Sequence, residues 1–186
     1  SLELVNNCDQ IIIHFQMKPN NKFIGLLLLI IISTQLWAQL PSGDKVKVGD
    51  EAPVFSIHTT NGQLFDLAQL KGKVVYINFF ATWCGPCLKE LPLIENEVWK
   101  SIQNPNFVML VIGREHTAKE LIKFKAEKGF TFPMAADTKR EIFNNFATQN
   151  IPRNLVIDRN GKIVYFKQGF TEEEFKEMIE LIKGIL

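Results

Sequence analysis

Val74-Val75-Tyr76-Ile77-Asn78-Phe79-Phe80-Ala81-Thr82-Trp83-Cys84-Gly85-Pro86-Cys87 decides the fold, because it reads as a buried strand running straight into a helix. Residues 74–81 are β-branched and aromatic without alternation, the pattern of a strand covered on both faces. A helix is expected from about Cys84 to Gln103, with Leu88, Leu91, Ile94, Val98 and Ile102 as its apolar stripe. Residues three apart in a first helical turn share a face, so the sulfurs of Cys84 and Cys87 can reach bonding distance. Cys84 stands where unpaired N–H groups and the helix dipole favour an anion, so its pKa is expected below the ordinary value of about 8.5. Pro86 pre-sets φ and has no N–H to lose at that position. The resulting thiolate is the species that attacks a disulfide.

Working outward, Asn61-Gly62 separates Val54–His58 from Leu64–Asp66 and predicts a hairpin, since both turn residues tolerate positive φ. Phe107–Gly113 reads as a second buried strand, Thr117–Lys128 as a helix stopped by Gly129, and Phe132–Met134 as a short strand. Thr138–Gln149 is expected to be helical. Asn154–Asp158 and Lys162–Gln168 flank Asn160-Gly161 as a second hairpin. Thr171–Gly184 closes the chain as a helix, with Glu174 completing a capping box on Thr171. This order predicts an α/β fold, a central mixed sheet flanked by helices on both faces. His116 and Glu115, in the loop after the second buried strand, read as surface residues.

Composition narrows the function classes. The 186 residues carry 21 basic and 20 acidic side chains, so there is no basic field to suggest a nucleic-acid partner. Three cysteines are too few for a disulfide-stapled scaffold. At the N-terminus, Lys18 and Lys22 precede the apolar run Phe23–Ile32, and the small residue Ala38 follows; this is the arrangement of a signal peptide over residues 17–38. The run is about half of what a spanning helix needs, although reading on to Leu40 would let the segment act as an anchor. Residues 1–16 fit no leader and are read as a non-native extension, with Met17 as the start. Residues 39–50 read as a linker and 51–186 as one domain.

The chain resembles the thioredoxin superfamily, and within it the exported TlpA/ResA-like branch. The residues that carry the resemblance are Trp83-Cys84-Gly85-Pro86-Cys87, Gly49-Asp50-Glu51-Ala52-Pro53-Val54-Phe55, Gly72-Lys73-Val74-Val75, Pro92 and Ile151-Pro152 before Leu155-Val156-Ile157-Asp158. The resemblance implies a thioredoxin-like fold with an N-terminal β-hairpin and an insertion before a cis-proline. It makes Cys84 the exposed nucleophile, Cys87 the resolving thiol and Pro152 the cis-proline. The backbone of Ile151 would then bind an incoming strand, with Trp83, Gly85 and Pro86 lining the contact. Asn78 stands where cytosolic relatives carry a buried carboxylate, and an amide takes no proton; Glu90, three residues after Cys87, is the candidate base. Arg153 replaces the usual threonine after the cis-proline and is expected to place a charge beside the groove.

The implied activity is thiol-disulfide exchange outside the cytoplasm by a monomer, in the reducing direction. It needs no cofactor beyond the Cys84–Cys87 pair. Its partners would be proteins with disulfides, apocytochrome c among them, and a membrane thiol-electron donor. Net oxidation or isomerisation, and a peptide-binding module that hardly uses its cysteines, are the competing readings. A zinc site would need two more ligands, and His58 and His116 lack ligand spacing. A structural disulfide across so short a loop would gain little.

Overall fold

The computed structural model describes residues 43–186. The extension expected at 1–16, the leader at 17–38 and the first linker residues lie outside the described residues. A small antiparallel hairpin, β1 (Ser56–His58) and β2 (Leu64–Asp66), leads through a 3₁₀ turn at Leu67–Leu70 into β3 (Val74–Phe80). Then follow α1 (Gly85–Leu93), β4 (Phe107–Arg114), α2 (Ala118–Lys128), β5 (Met134–Asp137), α3 (Phe143–Phe146), β6 (Arg153–Ile157), β7 (Ile163–Gln168) and α4 (Glu172–Ile185). The main sheet has the order β5-β4-β3-β6-β7, with β5, β4 and β3 parallel and β6 and β7 antiparallel to their neighbours. It is the mixed, helix-flanked sheet that the chain's alternation predicts.

Period two along the central strands sorts side chains into two cores. Val74, Tyr76 and Phe80 of β3 face α1 and α4, whose Leu91, Met178 and Ile182 are fully buried. Val75, Ile77 and Phe79 face the opposite side, against Phe143 and Phe146 of α3 and Phe65 of the hairpin. On β6, Val156 joins the first core, while Leu155 and Ile157 join the second. This sorting decides where the site residues point.

Local chemistry moves several boundaries. Pro92 lies inside the long helix and has no N–H for the usual bond, and the segment Ile94–Trp99 widens into π-helix, with Lys100 N–H donating to Glu95 O at 3.0 Å. The expected helix at 138–149 shrinks to Phe143–Phe146. Arg140 adopts φ +61°, Asp137 Oδ2 accepts from Phe143 N–H at 2.8 Å, and Ala147 is extended and bridges Asp44. β5 begins after Pro133, which has no N–H to give a ladder. Glu174 forms no full capping box on α4, because its carboxylate pairs with Lys167 at 3.1 Å; the complete box is on α2, between Thr117 and Glu120. Residues 43–50, read as linker, are held to the domain: Lys45 N–H donates to Phe146 O at 2.9 Å, Gly49 N–H to Ile163 O at 2.8 Å, and Asp44 pairs with Arg153.

Candidate active site

β3 delivers the chain from the middle of the sheet to the start of α1, and Cys84 is the N-cap of that helix. It is bonded to Cys87 with an S–S length of 2.08 Å and a Cα separation of 5.3 Å. The Cys87 N–H points at Cys84 Sγ at 3.3 Å, so the sulfur already occupies the place where the helix end stabilises negative charge. Cys84 is 5% exposed and Cys87 fully buried, which leaves Cys84 as the sulfur on the solvent side. The Ile151–Pro152 bond is cis, and the Ile151 carbonyl oxygen lies 3.8 Å from Cys84 Sγ. Trp83, largely exposed, lines an open groove with Cys84, Gly85, Pro86, Arg114, Asn150 and Ile151.

A buried polar cluster underlies the disulfide on the α1 side. Glu90 is one helical turn beyond Cys87 and 1% exposed. Its Oε2 accepts from Asn78 Nδ2 at 3.0 Å and its Oε1 from Asn154 Nδ2 at 2.6 Å. Asn78 and Asn154 are direct cross-strand partners in the β3–β6 pair, and Asn78 Nδ2 also donates to Asn154 Oδ1 at 2.9 Å. Tyr76 OH donates to the same Oδ1 at 2.6 Å, which turns the Asn154 amide so that its N–H must face Glu90. Burial pushes the Glu90 carboxyl up to about 7, against the pull of the two amide donors, which favour the charged form. Burial, and next the Glu90 charge, hold the Tyr76 hydroxyl well above its ordinary value, so it acts as a donor only. Glu90 can therefore exchange a proton near neutrality within a helical turn of the inner sulfur.

Two expectations are corrected here. Arg153 does not present charge to the groove: period two on β6 turns it to the face of Leu155, opposite Asn154, and its side chain is fully buried. Its guanidinium donates to Gln149 O and Asn150 O at 3.1 Å, pairs with Asp44 and stacks on Phe166 at 5.3 Å. It is a brace for the loop that precedes Pro152. His116 is not a surface residue. It is 7% exposed, and its Nε2 accepts from Thr82 N–H at 3.0 Å, which fixes the loop just before Trp83; burial lowers its pKa.

The sequence reading missed four contributors: Tyr76, Asn154, His116 and Arg114. Tyr76 was legible in principle, since it shares the strand-face parity of Asn78 on β3, whereas Asn154 meets Asn78 only through the register of β6 against β3. Arg114, at the end of β4, supplies the groove's positive charge, with its guanidinium 5.6 Å from the Trp83 ring centroid. Among the described residues no cluster of three or more His, Cys, Asp or Glu converges to hold a metal.

Four similarities bear on this site. The Redoxin family matches residues 47–182. A thiol-disulfide oxidoreductase, ResA, of Bacillus thuringiensis (strain Al Hakam) is 30% identical over 169 residues, covering 88% of this chain and 95% of the relative. Among solved structures, a candidate protein disulfide isomerase from Bacteroides thetaiotaomicron is 38% identical with a TM-score of 0.74, over 77% of this chain and 92% of that one. A thiol:disulfide interchange protein of the thioredoxin family from Chlorobium tepidum TLS is 27% identical with a TM-score of 0.63, over 75% and 98%.

Proposed function

The chain belongs to the Redoxin family and is a thiol-disulfide oxidoreductase with a thioredoxin-like fold, and from that premise we propose that it reduces protein disulfides outside the cytoplasm. The observation that carries the reading is the pairing of a helix-capping Cys84 with a buried Cys87 whose neighbour Glu90 is poised near neutrality. In the reduced protein the Cys84 thiolate attacks one sulfur of a substrate disulfide, forming a mixed disulfide and expelling the other substrate sulfur as thiolate. Glu90 takes the proton from Cys87, and the Cys87 thiolate attacks Cys84 Sγ. The substrate leaves with two thiols and the protein keeps the Cys84–Cys87 bond. Ile151 and cis-Pro152 form the rim on which the incoming chain lies, and Trp83, Gly85 and Pro86 form the other wall.

The Gly85-Pro86 dipeptide supports the reducing direction, since reducing dithiols of this kind sit near −270 mV against about −120 mV for strong oxidants. A reductant in that compartment draws its electrons from a membrane thiol donor, and cytochrome c maturation, with apocytochrome c as substrate, is the role that fits such a supply. Export rests on the leader read at residues 17–38. The test is insulin reduction by the purified protein, with its redox potential measured alongside. Turnover by wild type, none by Cys84→Ser, and a potential in the reducing range are expected. An active Cys84→Ser variant overturns the mechanism, and an oxidising potential overturns the direction.

A further inference from the structure

We propose that Arg114 reads an acidic side chain of the protein substrate, so that the groove favours cysteines that have an Asp or Glu as neighbour. The inference rests on the proposed attack by Cys84 on a protein disulfide and adds the substrate class. Arg114 lines the same groove as Cys84, Trp83 and Ile151. Its guanidinium is clamped between two rings, 5.6 Å from the Trp83 centroid and 5.0 Å from Phe143, and the residue is only 8% exposed. An arginine held this way has lost its freedom before a ligand arrives, so little ordering is left to oppose binding.

Its charge is only partly answered. Nε lies 3.1 Å from Glu115 Oε2, yet the contact is off the N–H axis, and Nε remains without an aligned hydrogen bond. Glu115 also lies 3.8 Å from Arg140 Nη1, so two guanidiniums share that carboxylate; Asp137, the register partner of Arg114 on β5, spends Oδ2 on Phe143 N–H and forms no ion pair with either arginine among the described residues. No other ion pair or hydrogen bond of Arg114 is made among the described residues, which leaves its two terminal nitrogens for an incoming carboxylate in the bidentate geometry arginine favours.

Among the described residues the non-glycine positions with left-handed φ are Glu115 (64°), Arg140 (61°) and Asn150 (64°). Two are the charged partners of the cluster and the third lines the groove. Such conformations are disfavoured for most residues with a Cβ, asparagine less than others, and they persist where the surrounding structure holds them.

The test uses the reduced full chain and three peptides of one sequence, each with its cysteine in a mixed disulfide with 2-mercaptoethanol and flanked by Glu, Gln or Lys. The second-order rate of reduction is measured at low and high salt. Wild type should prefer the Glu peptide over the Gln peptide by about tenfold at low salt, with Lys slowest and the spread narrowing as salt rises. Arg114→Gln should bring the ratio close to one, whereas Glu115→Gln, which removes the competing carboxylate, should widen it. Because the ratio is taken within each variant, a general loss of activity does not mimic the effect. A wild-type ratio near one, or a ratio that Arg114→Gln leaves unchanged, overturns the proposal while the dithiol activity stands. Failure to reduce any of the three peptides overturns the dithiol reading and this inference with it.

Discussion

Asn154 donates from Nδ2 to Glu90 Oε1 across 2.6 Å, so the strand that follows cis-Pro152 reaches the helix that carries both cysteines. The donor favours the carboxylate, while burial opposes it, and the balance places the group at about 7. A hydrogen bond to a charged group is worth roughly 1.5–3 kcal/mol, which corresponds to about one pKa unit or more. Asn154→Leu should therefore move the midpoint of the resolving step upward by about one pH unit. Tyr76→Phe, which frees the Asn154 amide to turn, should shift it less in the same direction. Single-turnover release of a Cys84 mixed disulfide, followed against pH, reads the midpoint. Glu90→Gln should erase it. A midpoint that stays put in Tyr76→Phe and Asn154→Leu but vanishes in Glu90→Gln would leave Glu90 as base and deny the two residues their positioning role.

The same carboxyl should make the oxidised protein less stable as pH rises. Its folded value, about 7, is above the ordinary 4.5, so between those values the folded state holds more proton than the unfolded one. Stability is then fully present below about 4.5 and is lost as pH climbs through about 7, by on the order of 3 kcal/mol. His116 has the opposite sign: its value is depressed by burial, against the pull of Glu120 and Glu115, so its contribution is present above about 6.5 and is lost as pH falls. Urea titrations across this range should show a decline toward alkaline pH that Glu90→Gln removes, with the acid-side loss retained. An unchanged alkaline slope in Glu90→Gln would assign the decline to another group.

The strand-to-helix junction was legible because nothing else accounts for seven buried residues in a row followed by a capping cysteine and a proline. The two Asn-Gly turns were legible for the same local reason, and Gly62 and Gly161 adopt φ of +84° and +90°. Less was visible where distant residues decide. The stretch after Thr138 has helical composition, but Asp137, Arg140 and Asp44 impose turns and a bridge that only the assembled fold supplies. Arg153 and Asn154 differ by one position, so everything about their roles depends on strand phase. Arg114 carried no motif at all, because what makes it part of the groove is the pair of rings that close on it.

Gly113, immediately before Arg114, has an ordinary φ, and its lack of a side chain matters for space. A Cβ there would lie 2.7 Å from both terminal methyls of Leu121, which is fully buried where α2 packs on the sheet. Gly113→Ala forces Leu121 to shift, and Gly113→Val pushes α2 itself away from β4. Overpacking of this kind costs about 1–3 kcal/mol, with valine at the upper end. Thermal unfolding should rank wild type, alanine and valine in that order. Equal midpoints for all three would show that Leu121 has room the packing does not reveal.

Arg153 should behave as the counterpart of Arg114. Its guanidinium binds the carbonyls of Gln149 and Asn150 and pairs with Asp44, and so ties the residues just before Pro152 to the segment that enters the domain. Arg153→Met keeps much of the stem but withdraws these donors from a buried position, and breaking a buried charged contact costs roughly 3–5 kcal/mol. Because Asp44 is itself part exposed, the lower figure applies. Arg153→Lys should recover little, since an ammonium cannot span carbonyls and carboxylate as the planar fork does. Hydrogen exchange should rise at Ala147–Ile151 and Gly43–Lys45 together, because one side chain holds both. The preference between acidic and neutral peptides should remain, since Arg153 faces away from the groove. Loss of that preference in Arg153→Met with stability unchanged would place the specificity charge on β6 and not on β4.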